Sequence, residues 1–375
     1  MKLLLLSSFG DPRDPKLWSG TPENIYQKLK TFPNIEVETD NILMFKWVSK
    51  CLAVVELVFQ MDLRRSKLRN ILTNGLLLAK YGKSLSLYDQ VLFFDTVANP
   101  GLLRKSEKLP ILSLVLDSTV AQWRTDTEWG INASPRRKRR RMSYDKKVLK
   151  SFTNFYSLSN QASNSLVQDF DIAKTQIVRV RTGVGQPLTQ IQRPKVLLEN
   201  KQISLLTIAK GEHWRKGIDL LFQSLSFDSD GKIKELNALL GSSYLDALLG
   251  SSYKAQTPKK VNRFGFVSLE ELISFYKSAD IFVLPCRFEP YGLVFVEAVR
   301  MGLPIVTTAN SGLGREFIEA GWPGAIVELE PSSIIEGILK VHSQMPFTSA
   351  AILNLQTEIL SLFDWNNLVT DILTK

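Results

Sequence analysis

Cysteine is nearly missing from this 375-residue chain. Cys51 and Cys286 are its two thiols, far apart and without metal-ligand spacing. Neither a disulfide framework nor a thiolate metal site is expected, and a reduced, cytoplasmic setting is. Long apolar runs are missing as well: none approaches the roughly 18 residues needed to span a bilayer. Leu3 to Leu6 is too short for a signal peptide and is soon followed by Asp11 and Asp14, so it reads as a first buried strand. No residue type stands in the excess that marks disorder. What remains, 44% apolar and 22% charged residues, is the composition of a globular protein long enough for two domains with separate cores.

Negative charge is what the N-terminal half lacks. Residues 1–190 hold 29 Lys and Arg against 17 Asp and Glu, whereas residues 191–375 hold 18 against 20. A basic first half points to an anionic partner there: a membrane surface, a phosphate-bearing acceptor or nucleic acid. Met44 to Ala79 reads as helical with a break near Asp62, and Arg64, Arg65, Lys67 and Arg69 beside the apolar run Leu52 to Phe59 could rest on anionic lipid. Pro135 to Arg141 holds six consecutive cations; as an exposed loop it would be solvated, and an anionic acceptor or lipid surface is its functional alternative. Without interleaved aromatics, nucleic-acid binding is disfavoured.

Punctuation divides the chain into alternating strands and helices. Lys2 to Ser8 is a strand, and the loop Trp18-Ser19-Gly20-Thr21 leads into a helix with Thr21 as N-cap and Pro22 at the first helical position. Gly20 would let a phosphate approach that helix start. Val91 to Phe94 and Ile111 to Leu116 are short strands ending at Asp95 and Asp117. In open α/β sheets ligands bind at the carboxyl ends of strands; Asp117 is read as functional and Asp95 as a helix cap. Gln190 to Pro194 reads as an interdomain linker. A nine-residue tandem duplication, Ala238 to Tyr244 and Ala247 to Tyr253, is too short for a solenoid and reads as a local insertion near a helix end.

The most informative stretch runs from Cys286 to Val306. Ile281 to Leu284 is a continuous apolar strand, a loop with Glu289 follows, and a helix beginning after Gly292 carries Glu297 before Gly302-Leu303-Pro304 stops it. Gly292 allows close backbone approach, and the unpaired N–H groups of a helix start suit a phosphate. Two carboxylates near one turn could also do acid/base work. The second informative stretch is Lys210 to Gly217, where Lys216 opposes the dipole of the helix it precedes and so calls for a bound anion.

These residues carry a resemblance. The E-x7-E string of Glu289 and Glu297, with Pro290, Gly292, Leu293 and Gly302-Leu303-Pro304 around it, resembles that of retaining nucleotide-sugar glycosyltransferases of the GT-B fold, close to glycosyltransferase family 4. The likeness is strongest from Ile203 to Ile318, extends to Phe155–Gly185 and to Ser19-Gly20-Thr21-Pro22, and is poor over residues 36–150. It implies an α/β protein of two Rossmann-like domains facing a central cleft: residues 1–190 for the acceptor and 191–375 for the nucleotide sugar. The last helix, about 355–375, would cross back to the first domain, with Trp365 packing there.

By the same resemblance Glu289 would hold the donor's sugar hydroxyls and Glu297 its ribose. Tyr291, Gly292, Leu293 and Val294 would sit at the diphosphate, and Gly265, Phe266 and Val267 at the base. Lys216 would neutralise the leaving diphosphate. Where the family has a second cation as Arg, this chain has Lys210, so clamping would be weaker or would borrow Arg215. Asp117 stands where many members have a histidine, and both histidines of the chain, His213 and His342, lie elsewhere; Asp117 would then take a catalytic, acceptor-side role. The donor would be a UDP- or GDP-sugar, no metal or other cofactor would be needed, and the acceptor would be a carbohydrate or lipid-linked saccharide. The enzyme would be cytoplasmic, peripheral to a membrane. A nucleotide-sugar epimerase and a non-catalytic donor-binding or membrane-docking subunit are the alternatives.

Overall fold

The structure, a computed structural model, describes residues 1–42, 67–103, 109–124, 135–183, 202–211, 213–241 and 258–375. They fall into two compact units, one from 1–124, 135–183 and 365–375, the other from 202–364. The residues proposed as linker, 190–194, lie outside this description, as do Met44 to Ser66 of the basic helical stretch and Ser242 to Tyr253 of the duplication.

In the first unit, β1 (Lys2–Ser7), β2 (Glu36–Asn41), β3 (Gln90–Phe93), β4 (Ile111–Leu116), β5 (Asn154–Ser157) and β6 (Ile177–Arg179) make one all-parallel sheet in the order β2-β1-β3-β4-β5-β6. Helices follow β1, β2, β4 and β5: α1 (Thr21–Leu29), α2 (Lys67–Tyr81), α3 (Pro135–Leu149) and α4 (Asn160–Phe170). The apolar strand runs are what a sheet covered on both faces requires. Leu4, Leu6, Val91, Phe93, Leu112, Leu114 and Phe155 form the core of this unit, each contributing about 1.5–3 kcal/mol on burial.

The terminal helix Trp365–Thr374 belongs to this unit. It packs on α1, and Tyr156 donates to the Ile372 carbonyl at 3.2 Å. The Trp365 ring lies so close to Gly183 that a Cβ there would come within 2.2 Å of it. Any side chain at this position would have to displace that ring.

The second unit repeats the plan with β7 (Ile203–Ile208), β8 (Ile233–Leu239), β9 (Val261–Phe264), β10 (Ile281–Leu284), β11 (Ile305–Thr308) and β12 (Gly324–Val327), all parallel in the order β12-β11-β10-β7-β8-β9. Its helices are α5 (Ile218–Ser224), α6 (Leu269–Ser278), α7 (Leu293–Arg300), α8 (Gly312–Glu319), α9 (Pro331–Ser343) and α10 (Ala350–Ser361). Strand order reverses direction between β1 and β3 in one unit and between β7 and β10 in the other, and the carboxyl ends at such reversals are where open α/β sheets bind ligands.

Four local expectations change. Thr21 is not the cap of α1: Gly20 takes that position with φ +79, a left-handed conformation that glycine adopts without cost. Asp95 caps no helix; it accepts the Ser8 amide (2.7 Å) and hydroxyl (2.6 Å) and the Val97 amide (3.0 Å), closing a turn. Pro135 to Arg141 is no loop but the first turns of α3. Cations there oppose the helix dipole, and tertiary packing overrides that cost: Val148 and Leu149 enter the core, Met142 and Tyr144 pack against it, and Arg141 pairs at 3.0 Å with Asp145, which is 2% exposed. The first copy of the duplication starts in β8, which contains Ala238 and Leu239, rather than near a helix end. Among the described residues no helix is long and apolar enough to cross a membrane.

Candidate functional site

The two informative stretches meet at the carboxyl ends of β7 and β10. Backbone bonds lock them: the Arg215 carbonyl accepts the Arg287 amide at 2.8 Å and the Phe288 amide at 3.3 Å. Gly217 makes this approach possible. It sits at φ +68 as the cap of α5, and a Cβ on it would lie 2.0 Å from the Pro285 carbonyl oxygen.

Charges then hold the two loops in register. Arg287 forms a two-pronged ion pair with Asp219, both contacts 2.7 Å, and lies 4.4 Å over the Trp214 ring. None of the three was singled out from sequence. The signal was available only as residue types, an Arg in one loop, a Trp in the other and an Asp in the first turn of α5, and pairing them needs the fold.

Glu289 is 9% exposed, and its carboxylate is held at 3.4 Å from Arg215 and 3.5 Å from Lys216. Burial pushes its pKa up, but Lys216 and Arg215 together more than reverse that, so it stays ionised below the usual carboxylate range. Its backbone is fixed between Asn310 and Gly312, with Glu289 N to Asn310 O at 3.1 Å and Gly312 N to Glu289 O at 2.8 Å. Removing one partner from such a buried charge group costs about 3–5 kcal/mol.

Gly292, at φ +86, caps α7, and a Cβ there would meet the Phe295 ring at 2.7 Å. The N–H groups of Leu293 and Val294 therefore open a helix at the β10 end, a disposition suited to an anion. Glu297, in the second turn of α7, accepts the Tyr276 hydroxyl at 2.7 Å. Burial raises its pKa, with Tyr276 and Lys216 opposing. The two glutamates thus differ in state: one is tied to two cations, the other to a neutral phenol. The matched acid/base pair that their spacing alone allows does not form.

The remaining candidates separate. Lys210 is exposed, its ammonium 5.7 Å over the Phe266 ring, and Phe266 is 66% exposed; Gly265 and Val267 flank it at the end of β9. Arg215 is turned inward, donating to the Phe288 carbonyl at 2.5 Å as well as to Glu289. The two cations proposed to share a role therefore stand in different settings. Tyr291 is buried, its carbonyl accepting the Leu313 amide at 2.9 Å. Cys286 is fully buried and its thiol is pushed up to about 12 by that burial, an inert packing group.

In the other unit, Gly20 and Asp117 lie at the carboxyl ends of β1 and β4. Asp117 accepts the Trp18 indole N–H at 3.2 Å and the Ser118 hydroxyl at 2.8 Å. Trp18 and Ser19 both adopt positive φ, +46 and +55, which costs of order 1–3 kcal/mol for each non-glycine residue.

The sequence comparisons bear on the first of these two clusters. Residues 189–352 match the model of a family described as Glycosyl transferases group 1, and that segment contains both the Lys210–Gly217 loop and the Glu289–Glu297 string. This segment is a glycosyl transferases group 1 domain. Its likeness to single proteins is partial. An uncharacterised glycosyltransferase of Methanocaldococcus jannaschii is 28% identical over 159 residues, 42% of this chain and 40% of that protein. Mannosylfructose-phosphate synthase of Agrobacterium fabrum is 45% identical over 168 residues, 40% of this chain and 36% of that protein. The matches thus span less than half the length of these relatives.

Solved structures match along the whole chain at low identity. A lipopolysaccharide outer core galactosyltransferase covers 100% of this chain and 99% of its own with a TM-score of 0.69 at 15% identity. The Anabaena protein HepE, solved with UDP and glucose, covers 100% and 98% with a TM-score of 0.63 at 14% identity. They show the GT-B fold, with the group 1 domain as its second Rossmann-like unit.

Proposed function

We propose that this protein is a retaining glycosyltransferase that moves a sugar from a nucleoside-diphosphate sugar to an acceptor hydroxyl. The observation that carries this reading is Glu289, buried and ionised between Arg215 and Lys216 at the β7/β10 reversal, beside the helix start at Gly292. A buried carboxylate held ionised can accept hydroxyls of a sugar, while Lys216 and the N–H groups of Leu293 and Val294 face the charge that a departing diphosphate develops. The HepE complex with UDP and glucose supports a UDP-sugar as the first donor to test, with a GDP-sugar second.

In the transfer, the bond from the anomeric carbon to the diphosphate oxygen breaks as a bond to the acceptor oxygen forms on the same face. The acceptor's proton passes to the departing diphosphate, so the enzyme supplies orientation and electrostatic stabilisation more than a base. Glu297, raised in pKa and oriented by Tyr276, is assigned to the ribose hydroxyls. Phe266, with Gly265 and Val267, is assigned to the base, and Lys210 to the outer edge of the diphosphate. Gly20 is assigned to donor binding, at a phosphate by the start of α1, and the rest of the N-terminal unit, with Asp117, to the acceptor. The likeness to a lipopolysaccharide galactosyltransferase supports a saccharide acceptor of a surface polysaccharide or glycolipid, and the exposed Arg136, Arg139 and Arg140 on α3 support docking at an anionic membrane face.

The deciding experiment is a thermal-shift screen of UDP-, GDP- and ADP-sugars followed by turnover assays with and without saccharide acceptors. One donor should raise the melting temperature in a saturable way, and turnover should require the acceptor. Conversion of the donor sugar without any acceptor would replace this reading with an epimerase, and binding without turnover with a non-catalytic subunit.

A further inference from the structure

We propose that Arg287 is a positioning residue for the transfer. Held by Asp219 and Trp214, it fixes the Trp214-Arg215-Lys216 tripeptide so that Lys216 stands beside Glu289 before a donor binds. The part of Arg287 in turnover rests on the transferase reading above; the reach of its grip to Lys216 does not.

The tripeptide has physical reason not to hold this conformation alone. Arg215 and Lys216 are adjacent cations turned toward one carboxylate, 3.4 and 3.5 Å from Glu289. They repel one another, and both stand just before α5, whose N-terminal end disfavours positive charge. What offsets this comes from the β10–α7 loop. Arg287 Nη1 and Nη2 each reach one Asp219 oxygen at 2.7 Å, Nη1 also donates to the Trp214 carbonyl at 2.5 Å, and the guanidinium lies 4.4 Å over the Trp214 ring. The Trp214 carbonyl accepts the Gly217 amide as well, at 3.0 Å, and the Arg215 carbonyl accepts the Arg287 and Phe288 amides. Lys216 is therefore flanked on both sides by residues whose backbone is tied down.

The geometry calls for an arginine. A planar guanidinium meets two carboxylate oxygens, a carbonyl and an indole face at once, whereas a lysine ammonium offers a point charge. The Arg287 and Asp219 side chains are 14% and 19% exposed, so solvent screens their attraction less than that of a surface pair. Asp219 neutralises the Arg287 charge, and one face of the guanidinium lies against Trp214. Arg287 thus acts on a departing diphosphate through Lys216 rather than by its own field. This gives Asp219 a diagnostic value. A cation acting directly would be strengthened when Asp219 loses its charge, whereas a positioning arginine would be released from its place.

The test is a double-mutant cycle on the full-length protein, with kcat and KM measured for the nucleotide sugar found in the thermal-shift screen and its acceptor. Arg287→Ala should lower kcat about 10- to 100-fold with the donor KM nearly unchanged, the mark of an interaction realised in the transition state. Asp219→Asn should lower kcat as well, and Arg287→Lys should recover part of the loss. In a Lys216→Ala background Arg287→Ala should have no further effect, because the group it positions is gone. Where Arg287→Ala does not fold, Arg287→Lys and Asp219→Asn complete the same cycle with Lys216→Ala. A second readout needs no donor: in urea unfolding, the effects of the Arg287 and Lys216 substitutions on the unfolding constant should depart from independence by about twofold or more. Independent effects of the two residues in either readout, or a higher kcat for Asp219→Asn than for the parent, would overturn the proposal. A parent inert with every nucleotide sugar but coupled in unfolding removes only the transferase reading; an active parent with independent effects removes only the positioning role.

Discussion

The two units share one sheet plan and fill its strand ends in opposite ways. At the β7/β10 ends, charged groups are taken out of water and made to neutralise one another: Glu289 between Arg215 and Lys216, Arg287 against Asp219. At the β1 and β4 ends, an indole and hydroxyls surround one carboxylate, and the loop that brings the indole there holds Trp18 and Ser19 at positive φ. The first arrangement suits a ligand whose charge changes during reaction. The second suits a neutral ring that must be recognised by shape and hydroxyl pattern.

The comparison breaks most sharply at Lys216. Lys216→Ala should lower turnover with the matching nucleotide sugar by about 10²-fold or more, the usual scale for one electrostatic stabiliser. Equal turnover in steady-state assays would remove the charged cluster from the reaction.

Matched glycine substitutions come next. Gly217→Ala meets a backbone oxygen at 2.0 Å in a left-handed conformation, whereas Gly183→Ala meets only the Trp365 ring, at 2.2 Å. Urea unfolding should show a loss of about 3 kcal/mol or more for the former and about 1–3 kcal/mol for the latter, because a side chain can shift where a carbonyl cannot.

The glutamates should differ in the sign of their pH dependence. Glu289 has a lowered folded pKa, so its stabilisation is present above the ordinary carboxylate value and is lost as pH falls through the lowered one. Glu297 has a raised pKa, so its contribution is fully present below the ordinary value and is lost as pH rises through the raised one. Melting curves of Glu289→Gln and Glu297→Gln across the carboxylate range should therefore approach the parent at low pH, where each carboxyl is protonated, and depart from it at high pH with opposite signs, Glu289→Gln falling below the parent and Glu297→Gln rising above it. Departures of the same sign would mean that the two carboxylates share one environment.

The smallest effect on stability belongs to α3. Replacing the exposed Arg136, Arg139 and Arg140 by Gln should change unfolding free energy by no more than about 0.5 kcal/mol per site, yet abolish co-sedimentation with anionic liposomes. Retained co-sedimentation would move the docking surface elsewhere.

The second unit was the more legible in sequence because its signals are local. Ile281 to Leu284 appears with the bounds its pattern predicts, since an unbroken apolar run needs no partner to be recognised. Glu289 with Gly292, and Lys216 with Gly217, could be picked for the same reason: each pair lies within one loop and one helix start. Arg287, Asp219 and Trp214 could not, because the contact joins loops more than 65 residues apart in sequence. Pro135 to Arg141 misled because six cations dominate a local reading, while the four apolar positions that make it a helix lie downstream and act only through the core.

By itself the sequence determined the alternation of buried parallel strands and covering helices, the position of the charged loops and the likeness of residues 189–352 to a known family. Those follow from periodicity, glycine placement and spacing over a few residues. The tertiary structure alone decided which charges pair, that the pKa values of Glu289 and Glu297 shift in opposite directions, and that Trp18 reaches Asp117. Burial and partner geometry set those properties, and both arise only when segments far apart in the chain are brought to the same strand ends.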